Sequence, residues 1–515
     1  MGKNNVLKKV EFYYALLWIF PIFFILKDFF NTKSLILIWD LRTLRILSFT
    51  LLQSILSSLL SLIISLLPSY YVSRKRNILS NVIENSLFIP FFFPPISAII
   101  AFSILYSGNG LLSKIGINLN VMYNLKAILI AHTFYNSPIF IKYISEALKK
   151  IPQNIEETVN IEGANKLQKF FKIDLPIIMP SITRGFFLVF TYCFTSFAIV
   201  LSLGGIKYST FEVAISTTLR GSMNFSKALT YAMIQFIVLT IINIFLSKTE
   251  EYQIEYQDFK IKKTNIFLFI FSLMYIIFEY SIVIVGILAS IYNFYESKFD
   301  ISGILNLFSK KINSKYHIIE SIINSLSLSF ITSIITVLFS YYILKKYSKF
   351  TNILITSTIG ISSAFLAMGL VYLNILFSIN YFYLLTIGYF LITVPICISF
   401  MHSHFLSFDR TIEEAAKLDG ANKLQLLYYI DFPLMFPILL SSFLQIFTII
   451  FGEFTIAYTM QINNSYPLVS LVNYTLSSSR LYKESSALSS LNILIIFFIF
   501  YISKIFSKKT KDDFK

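Results

Sequence analysis

EEAAKLDGANKLQLLYYIDFP, residues 413–433, is a polar stretch in an otherwise oily chain, and residues 156–176 read EETVNIEGANKLQKFFKIDLP. The two copies stand 257 residues apart, half of the 515-residue length, and residues 156–180 match residues 413–437 at 12 of 25 positions. Pro138 and Pro395 stand at the same offset. A repeat at half the chain length predicts two fused, pseudo-equivalent halves. We assign 1–246 to the first, 265–515 to the second, and the polar segment 247–264 to a linker between them.

The surroundings of the repeat set the class. The chain is 56% hydrophobic with 54 Phe, and its mean hydropathy is +0.70. A soluble protein of this length has too little interior to hide so much apolar surface, so the bilayer is part of its solvent. Runs of about 20 apolar residues suffice to cross the hydrocarbon core. Twelve are expected, near 12–30, 46–72, 87–107, 125–144, 182–204 and 228–246, then 265–291, 318–344, 352–377, 381–402, 436–458 and 488–506. With the N-terminus inside, the inner segments hold 28 of the 43 Lys and Arg and the outer segments 15. That excess predicts both termini inside, although Lys310, Lys311 and Lys315 fall in an outer loop. The same scattering argues against nucleic acid as the partner of the +16 net charge. The opening MGKNNVLKKV and its apolar run lack a small-x-small cleavage pattern, which predicts a retained first helix rather than a signal peptide. Cys193 and Cys397 sit in apolar runs and read as packing residues, and the four His form no ligand cluster.

Within each repeat the local chemistry is legible. Thr411 with Glu414, and Asn154 with Glu157, have capping-box spacing, and the acidic pairs at 156–157 and 413–414 suit a helix N-terminus. Gly163 and Gly420 are placed to end that helix in a left-handed residue. A second short helix is expected over AlaAsnLysLeuGln, ending near Pro176 and Pro433, before Pro180 and Pro437 open the next span. A plain solvated loop accounts for any one of these residues. Two matching protrusions point further, to two matching docking sites on a symmetric partner.

The pattern Glu-x-Ala-x-x-x-Asp/Glu-Gly-Ala, then Ile-x-Leu/Phe-Pro-x-x-x-Pro, resembles the EAA loop of ATP-binding-cassette importer permeases. The resemblance implies an all-α polytopic membrane protein made of two fused six-helix permease units, of the type I importer kind. It implies that both loops are coupling helices seated in grooves on two ATPase subunits, a homodimer in the simplest case. Carried over, Glu156, Gly163, Ala164 and Pro176 do this in the first half, and Glu413, Ala415, Gly420, Ala421 and Pro433 in the second. The first copy departs by having Thr158 and Val159 where the second has Ala415 and Ala416. It further implies an extracytoplasmic substrate-binding protein as partner, with residues near 205–227 and 459–487 as candidates to receive it or as simple connections.

None of the 16 Gly opens a phosphate-binding Gly-x4-Gly-Lys-Ser/Thr loop, so ATP is expected to be used by the partner, with no cofactor or metal bound by this chain. No catalytic constellation is present either, and the chain reads as a transporter rather than an enzyme. Intramembrane carboxylates are the remaining candidates. Glu453 aligns at the repeat offset with Ser196, and both are candidate pathway residues; Glu453 reads equally as a helix-packing group or as the cap of a break after Gly452. Glu279 reads as helix packing. A fused permease of this length resembles the thiamine and iron(III) uptake subfamily, and TSFAIVLSLGG at 195–205 followed by TFEVAI at 210–215 is more similar to thiamine permeases. Both substrates are cationic, so a pathway carboxylate suits either. An ion-gradient-driven secondary transporter is the competing class, since twelve spans and repeats occur there too.

Overall fold

The apolar runs become helices, and the side chains those helices bury are often the small polar ones. A computed structural model describes residues 2–30, 40–87, 89–119, 121–151, 155, 158, 161–163, 165–205, 207–247, 266–345, 351, 362–406, 410–422, 425–462 and 465–512. The expected linker falls almost wholly outside the described residues. In chain order the longer elements are α1 (Gly2–Phe29), α2 (Leu41–Arg74), α3 (Ile78–Ser86), α4 (Pro95–Tyr106), α5 (Leu125–Lys149), α6 (Leu175–Phe194), α7 (Ala198–Leu203), α8 (Phe211–Ser222) and α9 (Phe225–Ser247). They continue as α10 (Ile266–Leu288), α11 (Ile318–Leu344), α12 (Ser363–Phe377), α13 (Tyr381–Leu406), α14 (Arg410–Leu418), α15 (Phe432–Gly452), α16 (Thr455–Thr459), α17 (Val469–Ser478) and α18 (Tyr482–Asp512). A two-stranded antiparallel hairpin pairs Tyr292 with Phe299.

Among the described residues nine helices are long and apolar enough to cross a membrane, against the twelve spans expected; the first part of the expected span 352–377 lies outside the described residues, and its remainder forms the shorter helix α12. α5 falls short because it carries His132, Thr133, Asn136 and Ser137 in its interior. The third span is interrupted at Phe93 and Pro94, and α4 restarts at Pro95, prolines lacking the N–H that a continuous helix requires. The fifth and eleventh break after Phe194 and Gly452 and resume as α7 and α16.

α2 shows the inside-out pattern clearly. Thr50, Ser54, Ser58, Ser61, Ser65 and Ser69 are buried, while Leu52, Ile55, Leu59 and Ile63 on the other side are exposed. Lipid offers those apolar side chains a solvent, and small residues let neighbouring backbones approach. Several of the hydroxyls are satisfied within the helix: Ser54 donates to the Thr50 carbonyl at 2.6 Å and Ser69 to the Ser65 carbonyl at 2.6 Å, whereas Ser61 Oγ is buried without a hydrogen bond. α11 repeats the design with Ser321, Ser325, Ser329, Thr332, Thr336 and Ser340 buried. α2 packs on α5, α6 and α10, and α11 packs on α13 and α15.

The chain forms two compact units, one of Met1–Phe30, Leu219–Leu229 and Ile301–Lys515, the other of Asn31–Thr218 and Thr230–Asp300. Packing therefore exchanges the first helices of the two sequence halves. In the first unit α1 lies on α12, where a Cβ at Gly369 would come 2.7 Å from Pro21 Cβ, and Tyr14 stacks 5.3 Å from Phe339. In the second, α10 lies on α2 and α4, with Tyr275 buried among Tyr71, Val72, Ile83 and Ile141. Glu279 on α10 is buried there against Ser137 Oγ at 3.3 Å, in keeping with its reading as a packing residue. Cys193 and Cys397 are free and buried.

Candidate functional site

The repeated segment folds alike in its two copies wherever both are described. In the second, α14 begins at Arg410, so Thr411 lies inside its first turn rather than capping it from outside. α14 ends in a Schellman turn: the Ala421 N–H donates to the Ala416 carbonyl at 3.0 Å and the Gly420 N–H to the Lys417 carbonyl at 3.2 Å. Gly420 stands at φ +85° and Gly163 at φ +71°, and nothing lies within 4 Å of where a Cβ would sit on either. The backbone conformation alone selects glycine there. Glu156 and Ala164 lie outside the described residues, as does the Glu413 side chain.

The identical Asn and Gln that follow have a local cause. Asn165 Oδ1 accepts the Gln168 N–H at 2.8 Å while Gln168 Oε1 accepts the Asn165 N–H at 2.9 Å. Asn422 and Gln425 make the same reciprocal pair at 2.9 and 2.8 Å. Each is a capping box, so part of the sequence identity between the copies serves folding rather than docking. Asn422→Ala is expected to cost about 1 kcal/mol of local stability, read as faster amide exchange over residues 425–431 and unchanged exchange in α13.

Beyond the capping box the sequence reading needs correction. The second short helix does not end near the prolines. Phe170–Asp174 and Leu426–Asp431 are π turns that run directly into α6 and α15, with Pro176 and Pro433 in the first turns of those helices. A proline ring clashes with the carbonyl four residues back, and the wider π turn removes that clash without breaking the helix.

Each π turn closes on a buried aspartate. Asp174 Oδ2 accepts the Tyr70 hydroxyl at 3.1 Å and an Arg74 N–H at 3.5 Å, and the guanidinium lies 5.3 Å from the Tyr70 ring centroid. Asp431 pairs with Lys345, whose ammonium lies 5.1 Å from the Tyr341 ring centroid. Burial lowers the Lys345 pKa, but its bonds to Asp431 and Tyr341 raise it further, leaving it above its ordinary value. The stabilisation is then complete at neutral pH and lost only as pH rises past that raised value. Below this junction Ile151, Leu148, Ile178 and Ile182 form one buried cluster that seats the loop on its unit.

The breaks of the fifth and eleventh spans hold the two candidate pathway residues, Ser196 in one unit and Glu453 in the other. Ser196 Oγ lies 2.9 Å from His132 Nε2, and His132 Nδ1 lies 2.9 Å from Ser57 Oγ. Asn136 donates to the His132 carbonyl at 2.8 Å, and Gln53 donates to the Cys193 carbonyl at 2.8 Å. Glu453 accepts the Thr455 N–H at 2.7 Å and the Ile456 N–H at 3.1 Å, which caps α16 after the break. Tyr389, at the repeat offset from His132, lies beside the Glu453 carboxylate. The first break is thus held by a polar side chain from the preceding span, whereas the Tyr389 hydroxyl makes no hydrogen bond at the second. No ligand cluster in the sequence marks His132; the signal that does is the repeat, since at offset 257 it aligns with Tyr389 as Ser196 does with Glu453.

The segments expected as outer loops contain α8 and α17, and Phe211, Ile215, Leu219, Val469, Leu471 and Leu476 are buried. Arg220, at the end of α8, donates to the Tyr458 carbonyl at 2.5 Å and lies 4.0 Å from that ring's centroid.

The sequence family described as binding-protein-dependent transport system inner membrane component matches residues 10–249 and 329–511. The chain belongs to that family. Its two matched stretches each contain one copy of the repeated loop, and the all-α, fused two-unit membrane architecture is that of a helical permease. Among relatives, the thiamine transport system permease protein ThiP of Haemophilus influenzae is 34% identical over 126 residues, 24% of this chain and 23% of the relative. ThiP of Brucella melitensis is 31% identical over 166 residues, 31% of each chain. The probable transport system permease protein NifC of Clostridium pasteurianum is 26% identical over 133 residues, 25% of this chain and 46% of the relative. These matches span under half the length of each relative.

Proposed function

We propose that this chain is the permease of an ATP-binding-cassette importer, with both repeated loops on the cytoplasmic side, seated on a homodimeric ATPase, and a binding protein delivering substrate from outside. The observation that carries this reading is a matched pair of exposed apolar side chains on each loop. Ile161 and Leu418, at one repeat position, are 85% and 90% exposed; Phe171 and Tyr428, at another, are 60% and 70% exposed. Ile161 and Leu418 stand clear of the apolar spans, and outside the hydrocarbon such side chains call for a covering partner. Their duplication fits a partner with two equivalent faces. In that role Glu156, Gly163, Ala164 and Pro176 shape one loop, and Glu413, Ala415, Gly420, Ala421 and Pro433 the other, while ATP binds only the partner.

Thiamine is the substrate we assign, supported by the relatives named as thiamine permeases, with iron(III) as the alternative. Ser196 and Glu453 are the pathway residues under this reading. The test is purification of the tagged permease from its own cells, followed by uptake of labelled thiamine into vesicles. Recovery of an ATPase subunit and uptake that requires ATP are expected. Uptake driven by an ion gradient without ATP would instead make the chain a secondary transporter, and iron(III) uptake without thiamine uptake would replace the substrate.

A further inference from the structure

We propose that Asp174 and Asp431 are positioning residues that carry movement of the two loops into the second span of each half, through their clamps to Arg74 and Lys345. This rests on the coupling role proposed for the loops and names the link by which that role reaches the membrane.

Three observations converge on the same pair of positions. Both carboxylates are buried, with side-chain exposures of 4% and 5%, and both meet a cation at the end of a long helix. Arg74 lies in the last turn of α2, and Lys345 caps α11, where the helix dipole favours positive charge. Each aspartate is also the final residue of a π turn. The extra residue in that turn shifts the helical phase between loop and span. Phe171 and Tyr428, within those turns, stay exposed, while the aspartates at their ends point inward to the clamp.

α2 and α11 are the helices through which a displacement would spread. Each carries the buried Ser and Thr face described above and packs on the fourth and fifth spans of its half. A loop pushed by a partner would otherwise act on the membrane part through the following span alone. The clamp adds a second, charged lever, and removing the cation leaves a buried carboxylate without its counter-ion, while removing the aspartate frees the helix end from the loop. The two levers differ: Arg74 shares Asp174 with Tyr70, whereas Lys345 takes Asp431 directly.

The experiment reconstitutes the full-length permease with the ATPase that purifies with it and measures ATP hydrolysis and labelled thiamine uptake side by side. Asp174→Asn and Asp431→Asn should each insert and retain the ATPase, with uptake per ATP hydrolysed falling about tenfold. The exchanged pair Arg74→Asp with Asp174→Arg should restore that ratio to within about threefold of wild type. A merely structural role would lower assembly and leave the ratio unchanged, and an unchanged ratio overturns the clamp as a lever. Hydrogen exchange on the permease alone supplies a readout independent of any partner. Asp431→Asn should speed exchange in residues 425–431 and in the last turn of α11 together; exchange confined to the loop overturns the link to that helix. If wild type recruits no ATPase, the importer reading fails, while the exchange result still decides the clamp.

Discussion

Replacing Gly420 with valine is expected to bring substrate uptake close to background while the permease still inserts and purifies in normal yield. Gly420 sits at φ +85° as the left-handed residue of a Schellman turn, in open space. A non-glycine residue there costs about 1–2 kcal/mol from Cβ crowding against the backbone, and β-branching adds to it. That exceeds what the exposed nine-residue α14 can absorb without losing its last turn. Leu418, which stands in that turn, would then leave its place on the loop surface. The membrane part is remote from the change, so heat stability should hold. Gly420→Ala should give a milder loss of the same kind, and Gly163→Val should do so through the first loop. Full uptake by Gly420→Val, with the ATPase still bound, would show that the left-handed turn does not shape a coupling surface.

The second large effect concerns Glu453, where two substitutions separate two roles. Its carboxylate caps α16 by accepting the N–H groups of Thr455 and Ile456. Glu453→Leu removes the acceptor and leaves both donors in a water-poor site, at about 1–3 kcal/mol for an unsatisfied group. A clear fall in the unfolding temperature of the solubilised permease is expected. Glu453→Gln keeps an amide oxygen for the cap and removes only the charge. If the carboxylate meets a cationic substrate, that variant should keep its unfolding temperature and lose about tenfold in uptake. Equal uptake by Glu453→Gln and wild type would leave the residue as a cap alone.

The sequence revealed most of the architecture because lipid-facing runs are long and the polar repeat between them is conspicuous. Gly163 and Gly420 were legible since little besides a helix end asks for glycine ahead of an AlaAsn pair. The π turns were not, because IleAspLeuPro and IleAspPhePro read as a helix start when proline is taken as a boundary. The Asp174 and Asp431 clamps escaped for a related reason. Arg74 and Lys345 count as ordinary inward-side charges in a topology tally, and their pairing depends on which helix ends meet in space. The breaks at Phe194 and Gly452 were hidden in apolar runs, although Glu453 marked one of them. The helices α8 and α17 read as loops in the sequence because they are short and interrupted by polar residues.

The exchange of first helices bears on how the protein is made. α1 emerges from the ribosome early, yet the partners of its Tyr14, Phe339 and Phe390, are synthesised only in the second half. The unit built from the first half likewise waits for α10, which brings Glu279 to Ser137. Neither unit can close until translation is well past the middle, so α1 must dwell in lipid unpaired. A gene cut within residues 248–265 should therefore yield two fragments that are degraded when expressed singly and that rescue each other when expressed together.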